Sequence, residues 1–205
     1  MRGPARSRDP AGRPREDGGH GAAARTGRRR DGGQRATAET ARVTVIGVGN
    51  TFRGDDGAGP AAVARLRART PPDGTPAGVR TVCCDGDPAR LIDLWADAAL
   101  AVVVDAARAR PACPGRIHRL EPGPDTTWPA RTTSSHGLGL GYAVALARTL
   151  GRLPGRLVVY AVEGADTSLG EGLTPAVAAA LDPLVERVRA EIARAAAALP
   201  DGRRQ

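Results

Sequence analysis

The sequence contains no lysine, so its 30 basic residues are all arginines. A bias of this kind indicates genome composition more than function. The sequence also lacks any apolar run approaching the roughly eighteen residues of a membrane helix. Its first residues are rich in Arg, Gly and Pro and form no apolar signal segment. We therefore expect a soluble, cytoplasmic protein without a membrane partner.

Cysteine is scarce, and its positions exclude the usual cysteine-based sites. Cys83, Cys84 and Cys113 form no CxxC pair and have no spacing typical of metal ligands. Adjacent side chains in a strand point to opposite faces, so Cys83 and Cys84 cannot easily face one ligand. No Ser-His-Asp or Cys-His set is evident either. The cysteines are predicted to be buried structural thiols in a reducing compartment.

The positive charge is concentrated at the N-terminus. Residues 1–41 hold ten arginines against five acidic residues, which accounts for +5 of the net +8. This segment has too few large apolar side chains to offset the entropy of ordering, so it is predicted to be a disordered extension. An upstream start codon chosen in error would explain it equally well. No nucleic-acid partner is expected, although an Arg-rich tail is compatible with one.

From residue 42 to residue 199, strand and helix patterns alternate. A near-continuous apolar strand such as ALAVVV is typical of a buried parallel sheet. The pattern predicts a three-layer α/β/α sandwich with a mostly parallel central sheet, followed by a flexible tail over 200–205. The predicted strands are 43–48, 79–84, 99–104, 116–121 and 157–164. The predicted helices are 60–69, one starting at Pro88, 138–150 and one starting after Thr174, which Pro183 kinks or restarts.

Polar side chains follow the predicted strands at the edge where such sheets bind ligands. Asp55 and Asp56 come after the first strand, Asp105 ends the third, and His136 lies in a loop before a helix. Two carboxylates and an imidazole suit a divalent metal or general acid and base chemistry. Structural alternatives exist: Asp56 could stabilise a helix start, and His136 could cap the following helix. Asp55 is predicted to be structural, with its carboxylate bonded to backbone.

The first loop, GVGNTFRGDDGAG, raises the alternative of a dinucleotide site. Gly47 and Gly49 fit the first two glycines of that fingerprint, but Phe52 stands at the third glycine position. Carboxylates also occupy the helix N-terminus where a phosphate would bind. A noncatalytic dinucleotide- or metal-binding protein on a Rossmann-like scaffold is therefore the lesser alternative.

Three motifs in order, GVGNTFRGDDGAG, AVVVDAAR and SSHGLGL, resemble those of the hydrogenase maturation proteases. The segments DGDPARLIDLW and EGADTSLGEGLTP fall in the expected intervals, so the resemblance covers about residues 43–195. This family comprises the endopeptidases that remove the C-terminal extension from the large-subunit precursor of nickel-iron hydrogenases. The resemblance implies that such a precursor is the partner of this chain.

The resemblance also implies which residues form the site. Asp56, Asp105 and His136 stand at the positions that recognise nickel already inserted into the precursor, and many relatives have Glu where this chain has Asp56. It implies nickel carried by the substrate and not held stably by the enzyme. Cleavage by a nickel-polarised carbonyl or nickel-bound water and cleavage with a carboxylate as general base both remain open. An unrelated peptidase with its own tightly bound zinc is a further alternative.

Overall fold

The residues that the structure, a computed structural model, describes contain six strands and four α-helices. These residues are 43–69, 78–123, 132–134, for which only the backbone is described, and 139–198. They all belong to one compact unit, Thr37–Gln205. The predicted tails at 1–41 and 200–205 lie outside the described residues. In order, the elements are β1 (Val43–Val48), α1 (Ala58–Ala68), β2 (Val79–Cys84), α2 (Pro88–Trp95), β3 (Leu100–Ala109), β4 (Ile117–Leu120), β5 (Thr132–Ser134), α3 (Gly139–Thr149), β6 (Leu157–Glu163) and α4 (Pro175–Ala198).

The sheet has the strand order β2-β1-β3-β6-β4, and β5 pairs with the end of β3. The first four strands in this order are parallel, whereas β4 and β5 are antiparallel to their neighbours. This is the predicted α/β fold with a mostly parallel central sheet. The chain leaves β1 toward β2 on one side and reaches β3 on the other. The carboxyl ends of β1 and β3 therefore flank the point where the strand order reverses, which is the usual ligand crevice of such sheets.

Each face of the sheet is covered by two helices. Val45, Val102 and Val158 pack with apolar residues of α1 and α4 on one face. Ile46, Val103 and Val159 pack with residues of α2 and α3 on the other. Side chains alternate between the faces of a strand, so the largely apolar strands β1, β3 and β6 are buried on both sides. The three predicted layers are confirmed.

A short 3-10 helix, Gly54–Gly57, leads into α1. The start of α1 lies so close to the sheet that a Cβ on Gly59 would stand 2.3 Å from the Val48 carbonyl oxygen and 2.5 Å from that of Val104. Only glycine permits this approach. The close approach brings the acidic pair before α1 onto the ends of β1 and β3.

Several sequence predictions differ from the structure. Asp105 does not end its strand, because β3 continues to Ala109 through pairing with β6 and then with β5. The polar stretch predicted as loop contains β5. The helix α4 runs through Pro183 without restarting. Of the cysteines, only Cys84 is buried, whereas Cys83 and Cys113 are exposed.

Candidate active site

The rim is the set of loops after β1 and β6 together with the part of β3 that extends past β1, from Asp105 onward, and both acidic residues assigned to the site lie there. Asp56, in the 3-10 helix, is 4% exposed, and Asp105, in β3, is 1% exposed. The 3-10 helix packs directly against β3. Burying carboxylates is costly, so two of them on neighbouring elements at the strand crossover favour a functional site.

The glycine loop after β1 holds Asp56. The Asn50 N–H donates to Asp56 Oδ2 at 3.0 Å, so the carboxylate closes the loop from within. Gly49 makes this turn with φ at +145°, where a Cβ would stand 1.9 Å from the Asp56 carbonyl oxygen. Glycine is required there for both reasons. The loop therefore holds the Asp56 carboxylate in a fixed position.

Most backbone N–H groups of the same loop already donate hydrogen bonds within the protein. Gly49 N donates to the Cys84 carbonyl, Phe52 N to the Asn50 side chain, and Arg53 N to the Asn50 carbonyl. Together with the Asn50 N–H bonded to Asp56, four backbone donors that could bind a pyrophosphate have protein acceptors. This geometry argues against the dinucleotide alternative.

Asp55 has the structural role that the sequence predicted. It is fully buried, and its carboxylate accepts hydrogen bonds from the backbone N–H groups of Ala165, Asp166 and Thr174 at 2.7–3.1 Å. The Thr174 hydroxyl adds a fourth at 3.0 Å. Asp55 thus ties the loop after β1 to the loop between β6 and α4. Helix α4 begins at Pro175, as predicted. The Thr174 hydroxyl, just before it, donates its hydrogen bond to the Asp55 carboxylate.

His136 lies outside the described residues, so its place in the site stays a prediction. The nearest described backbone is β5, which sequence reasoning missed. Ser134 in β5 pairs with Ala107, two residues beyond Asp105 in β3. Among the residues that the structure describes, no three His, Cys, Asp or Glu side chains are grouped to hold a metal ion.

A second histidine lies on the same face of the sheet as Asp105. Asp105 pairs with Ala161, which pairs in turn with His118 on β4, and cross-strand partners share a face. The Nε2 of His118 lies 2.6 Å from Oε1 of the buried Glu163. The sequence predicts Glu163 in a strand, but it gives no sign that this carboxylate is buried and paired with His118.

Glu163 joins β6 to the segment before β4. Its other carboxylate oxygen accepts from the Cys113 N–H at 2.5 Å. Burial acts to raise the pKa of Glu163, but the bonds from Cys113 and His118 outweigh it and leave the pKa below its usual value. Glu163 is therefore a charged anchor for this edge of the rim.

Comparisons with known proteins agree with this architecture. The family model described as hydrogenase maturation protease matches residues 85–191, just over half of the chain. The matched segment contains Asp105 and His136 and leaves Asp56 outside. No curated protein gives a significant match.

Solved structures match over most of their length. The hydrogenase maturating endopeptidase HybD from E. coli is 25% identical, with 75% of this chain and 93% of that chain covered and a TM-score of 0.63. An endopeptidase from Escherichia coli solved in solution is also 25% identical, with coverages of 73% and 90% and a TM-score of 0.62. The [NiFe] hydrogenase maturation protease HybD from Thermococcus kodakarensis, at 24% identity, coverages of 73% and 97% and a TM-score of 0.57, shares the fold.

Proposed function

The chain belongs to the hydrogenase maturation protease family and is a peptidase; from this premise we propose that it removes the C-terminal extension of a nickel-iron hydrogenase large-subunit precursor after nickel insertion. Asp56, Asp105 and His136 recognise the nickel that the precursor carries. The observation that carries the proposal is the burial of Asp56 and Asp105 on adjoining elements at the strand crossover, in a chain of this family.

The donor set suits recognition of nickel within a substrate. Two carboxylates and one imidazole offer oxygen and nitrogen ligands to a borderline ion such as Ni²⁺. Three such ligands hold the free ion weakly, and sulfur ligands from the precursor would raise the affinity of the joint site. Because both proteins complete the coordination, cleavage waits until the metal has been inserted. Nickel is thus part of the substrate.

Cleavage of the peptide bond can follow either of two routes at this site. Nickel can polarise the scissile carbonyl or supply a bound water, and a carboxylate can act as general base, as in an aspartic-type endopeptidase. The burial of Asp56 and Asp105 favours both routes equally, because a dry site strengthens electrostatic interactions with the substrate. In either route, loss of one carboxylate removes a group that touches the reacting centre.

The test is the processing of a nickel-loaded large-subunit precursor, followed by the intact mass of the product. The parent chain is expected to remove the C-terminal extension, whereas Asp105→Asn and His136→Ala lower the rate at least a hundredfold, on the order of the loss for a general acid or base. Asp85→Asn, which changes an exposed carboxylate at the end of β2, is the matched control and keeps the parent rate. Processing by Asp105→Asn and His136→Ala at the parent rate would show that the site is elsewhere.

Two other measurements address the remaining alternatives. Tight binding of a dinucleotide, with no effect on any precursor, would favour the noncatalytic binding protein. One equivalent of zinc after purification, together with cleavage of generic peptides, would favour an unrelated zinc peptidase. Our proposal predicts neither result.

A further inference from the structure

Two large apolar side chains stand in solvent at the rim, on the two loops that Asp55 ties together. Phe52 is 62% exposed and Leu169 is 84% exposed. A single exposed apolar residue is common and needs no explanation. Two of them on neighbouring loops beside a buried carboxylate are different, because clustered apolar surface marks interaction sites.

The backbone of the two loops is joined near these side chains. Gly170 N donates to the Phe52 carbonyl at 3.0 Å, and Gly54 N donates to the Gly170 carbonyl at 2.9 Å. Arg53 and Gly170 form a parallel bridge. Phe52 directly precedes Arg53, and Leu169 directly precedes Gly170. The two apolar residues therefore lie next to this bridge, one on each loop.

The side chains are displayed on a braced support. Asp55, two residues beyond that bridge, adds four hydrogen bonds to the loop between β6 and α4. A surface held in place before binding loses less conformational entropy when a partner covers it. The exposed charged residues Arg53 and Glu171 flank the apolar pair and give it the polar border typical of protein interfaces.

We propose that Phe52 and Leu169 form a docking surface for the folded body of the large-subunit precursor, next to the peptide bond to be cut. This inference rests on the proposed function and names the part of the enzyme that holds its partner. The occupant follows from continuity: Phe52 lies four residues before Asp56 in the same loop, so this surface adjoins the place that the precursor peptide reaches. When the precursor covers Phe52 and Leu169, the contact stabilises the enzyme-substrate complex and the transition state equally. The contact therefore lowers KM and leaves kcat unchanged.

The test compares KM and kcat for processing of the nickel-loaded precursor by Phe52→Ser, Leu169→Ser and the double variant. Each single change is expected to raise KM about tenfold, a typical effect of exposing one apolar contact, with kcat within about twofold of the parent value. Phe52→Leu keeps an apolar side chain and should restore most of the affinity. Leu150→Ser is the matched control, because Leu150 is 55% exposed but lies between α3 and the amino end of β6, whereas the rim lies at the carboxyl end of β6.

Three outcomes would overturn the proposal. The first is a KM for the double variant equal to that of the parent. The second is an equal rise in KM for Leu150→Ser, which would indicate a general effect of surface hydrophobicity. The third is a dimer of the parent chain in sedimentation experiments that Phe52→Ser abolishes, because the surface would then bind a second copy of this chain.

Failure of the proposed function is a separate result. If the parent chain does not cut the precursor, the function fails and docking is judged by direct binding of immobilised precursor. A roughly tenfold weaker binding of the double variant would still support docking, whereas equal binding, or no binding by the parent chain, would refute it. Equal melting temperatures of parent and variants show that the fold is intact in either case.

Discussion

At the scale of single residues, Asp55 and Asp56 are two adjacent buried carboxylates with different hydrogen-bond partners. Asp55 accepts hydrogen bonds from two loop segments distant in sequence, at residues 165–166 and at Thr174. Asp56 accepts from Asn50 within its own loop. The structural role of Asp55 was predictable from the sequence, whereas the site role of Asp56, to which the motif resemblance points, stays a prediction. The sequence could not predict the partners of Asp55, which lie more than a hundred residues away.

Substituting these two residues by asparagine should separate stability from activity. Asp55→Asn removes the charge from a carboxylate with four donors and should lower the free energy of unfolding by about 3 kcal/mol, because bonds to a charged acceptor are the stronger ones. Asp56→Asn should cost about 1 kcal/mol and abolish precursor processing. Urea denaturation and the processing assay measure the two effects. A larger stability loss for Asp56→Asn than for Asp55→Asn would refute these assignments.

At the scale of elements, the apolar runs of β1 and β6 and the β-branched residues of β2 determine these strands, and local sequence was sufficient to place their starts. The end of β3 and the whole of β5 depend on pairing between Ala107 and Ser134 and between Ala109 and Thr132. Neither segment has a strong apolar pattern of its own, so only tertiary structure makes them strands. The continuity of α4 at Pro183 has a similar cause, because Leu184, Val185 and Val188 are buried against the sheet.

Because α1 approaches the sheet so closely at Gly59, adding one methyl group there should greatly lower the stability of the fold. In Gly59→Ala the new Cβ would lie 2.3 Å and 2.5 Å from two strand carbonyl oxygens, so α1 must move away from β1 and β3. We expect a loss of about 4 kcal/mol in the free energy of unfolding, at the upper end for point substitutions. Gly151→Ala is the comparison: Gly151 has φ of +64° but no atom within 4 Å, so strain alone should cost about 1 kcal/mol. Equal costs in urea denaturation would contradict this.

The C-terminal helix is joined to the edge of the sheet by one fully buried carboxylate. Glu191 in α4 lies 2.9 Å from Arg119 of β4, 3.1 Å from Arg156 and 2.8 Å from Arg194. The Tyr160 hydroxyl donates to it at 3.3 Å. Burial acts to raise the pKa of Glu191, but the arginines outweigh it and lower the pKa.

Replacing this carboxylate tests its contribution to stability. Glu191→Gln should lower the free energy of unfolding by roughly 2 kcal/mol, measured by urea denaturation. This is less than the loss for a wholly buried ion pair, because the three arginines keep more than a third of their side chains in water. Glu186→Gln, whose carboxylate is 57% exposed and bonded to surface arginines, should change stability by less than about 0.5 kcal/mol. Similar losses for both variants would contradict a special role of Glu191.

At the scale of the whole molecule, stability should depend on acidic pH. The Arg156 guanidinium, together with Arg119, lowers the pKa of Glu121 from 4.5 to about 2, and the pKa values of Glu163 and Glu191 are lowered as well. A lowered folded pKa contributes stability that is present above the unfolded pKa and is lost as pH falls through the folded one. Urea midpoints should therefore be level above about pH 4.5 and fall toward pH 2. Glu191→Gln should reduce that slope, and a midpoint that rises on acidification would contradict the account.

No helix in the described part of the chain is long and apolar enough to cross a membrane.

The fold class and the placement of Asp56 and Asp105 at one rim were predictable, because alternating strands and helices bring strand ends together. The position of the loop between β6 and α4, which contains Leu169 and is held by Asp55, was not predictable from the sequence. Its position depends on hydrogen bonds to a distant segment and has no local apolar pattern.

We propose that this peptidase acts on a hydrogenase large subunit only after nickel has been inserted. The most direct measurement is the intact mass of one large-subunit precursor, prepared with and without nickel and incubated with the parent chain. The account predicts loss of the C-terminal extension from the nickel-loaded precursor and an unchanged mass for the nickel-free one. Equal cleavage of both forms, or cleavage of neither, would contradict it.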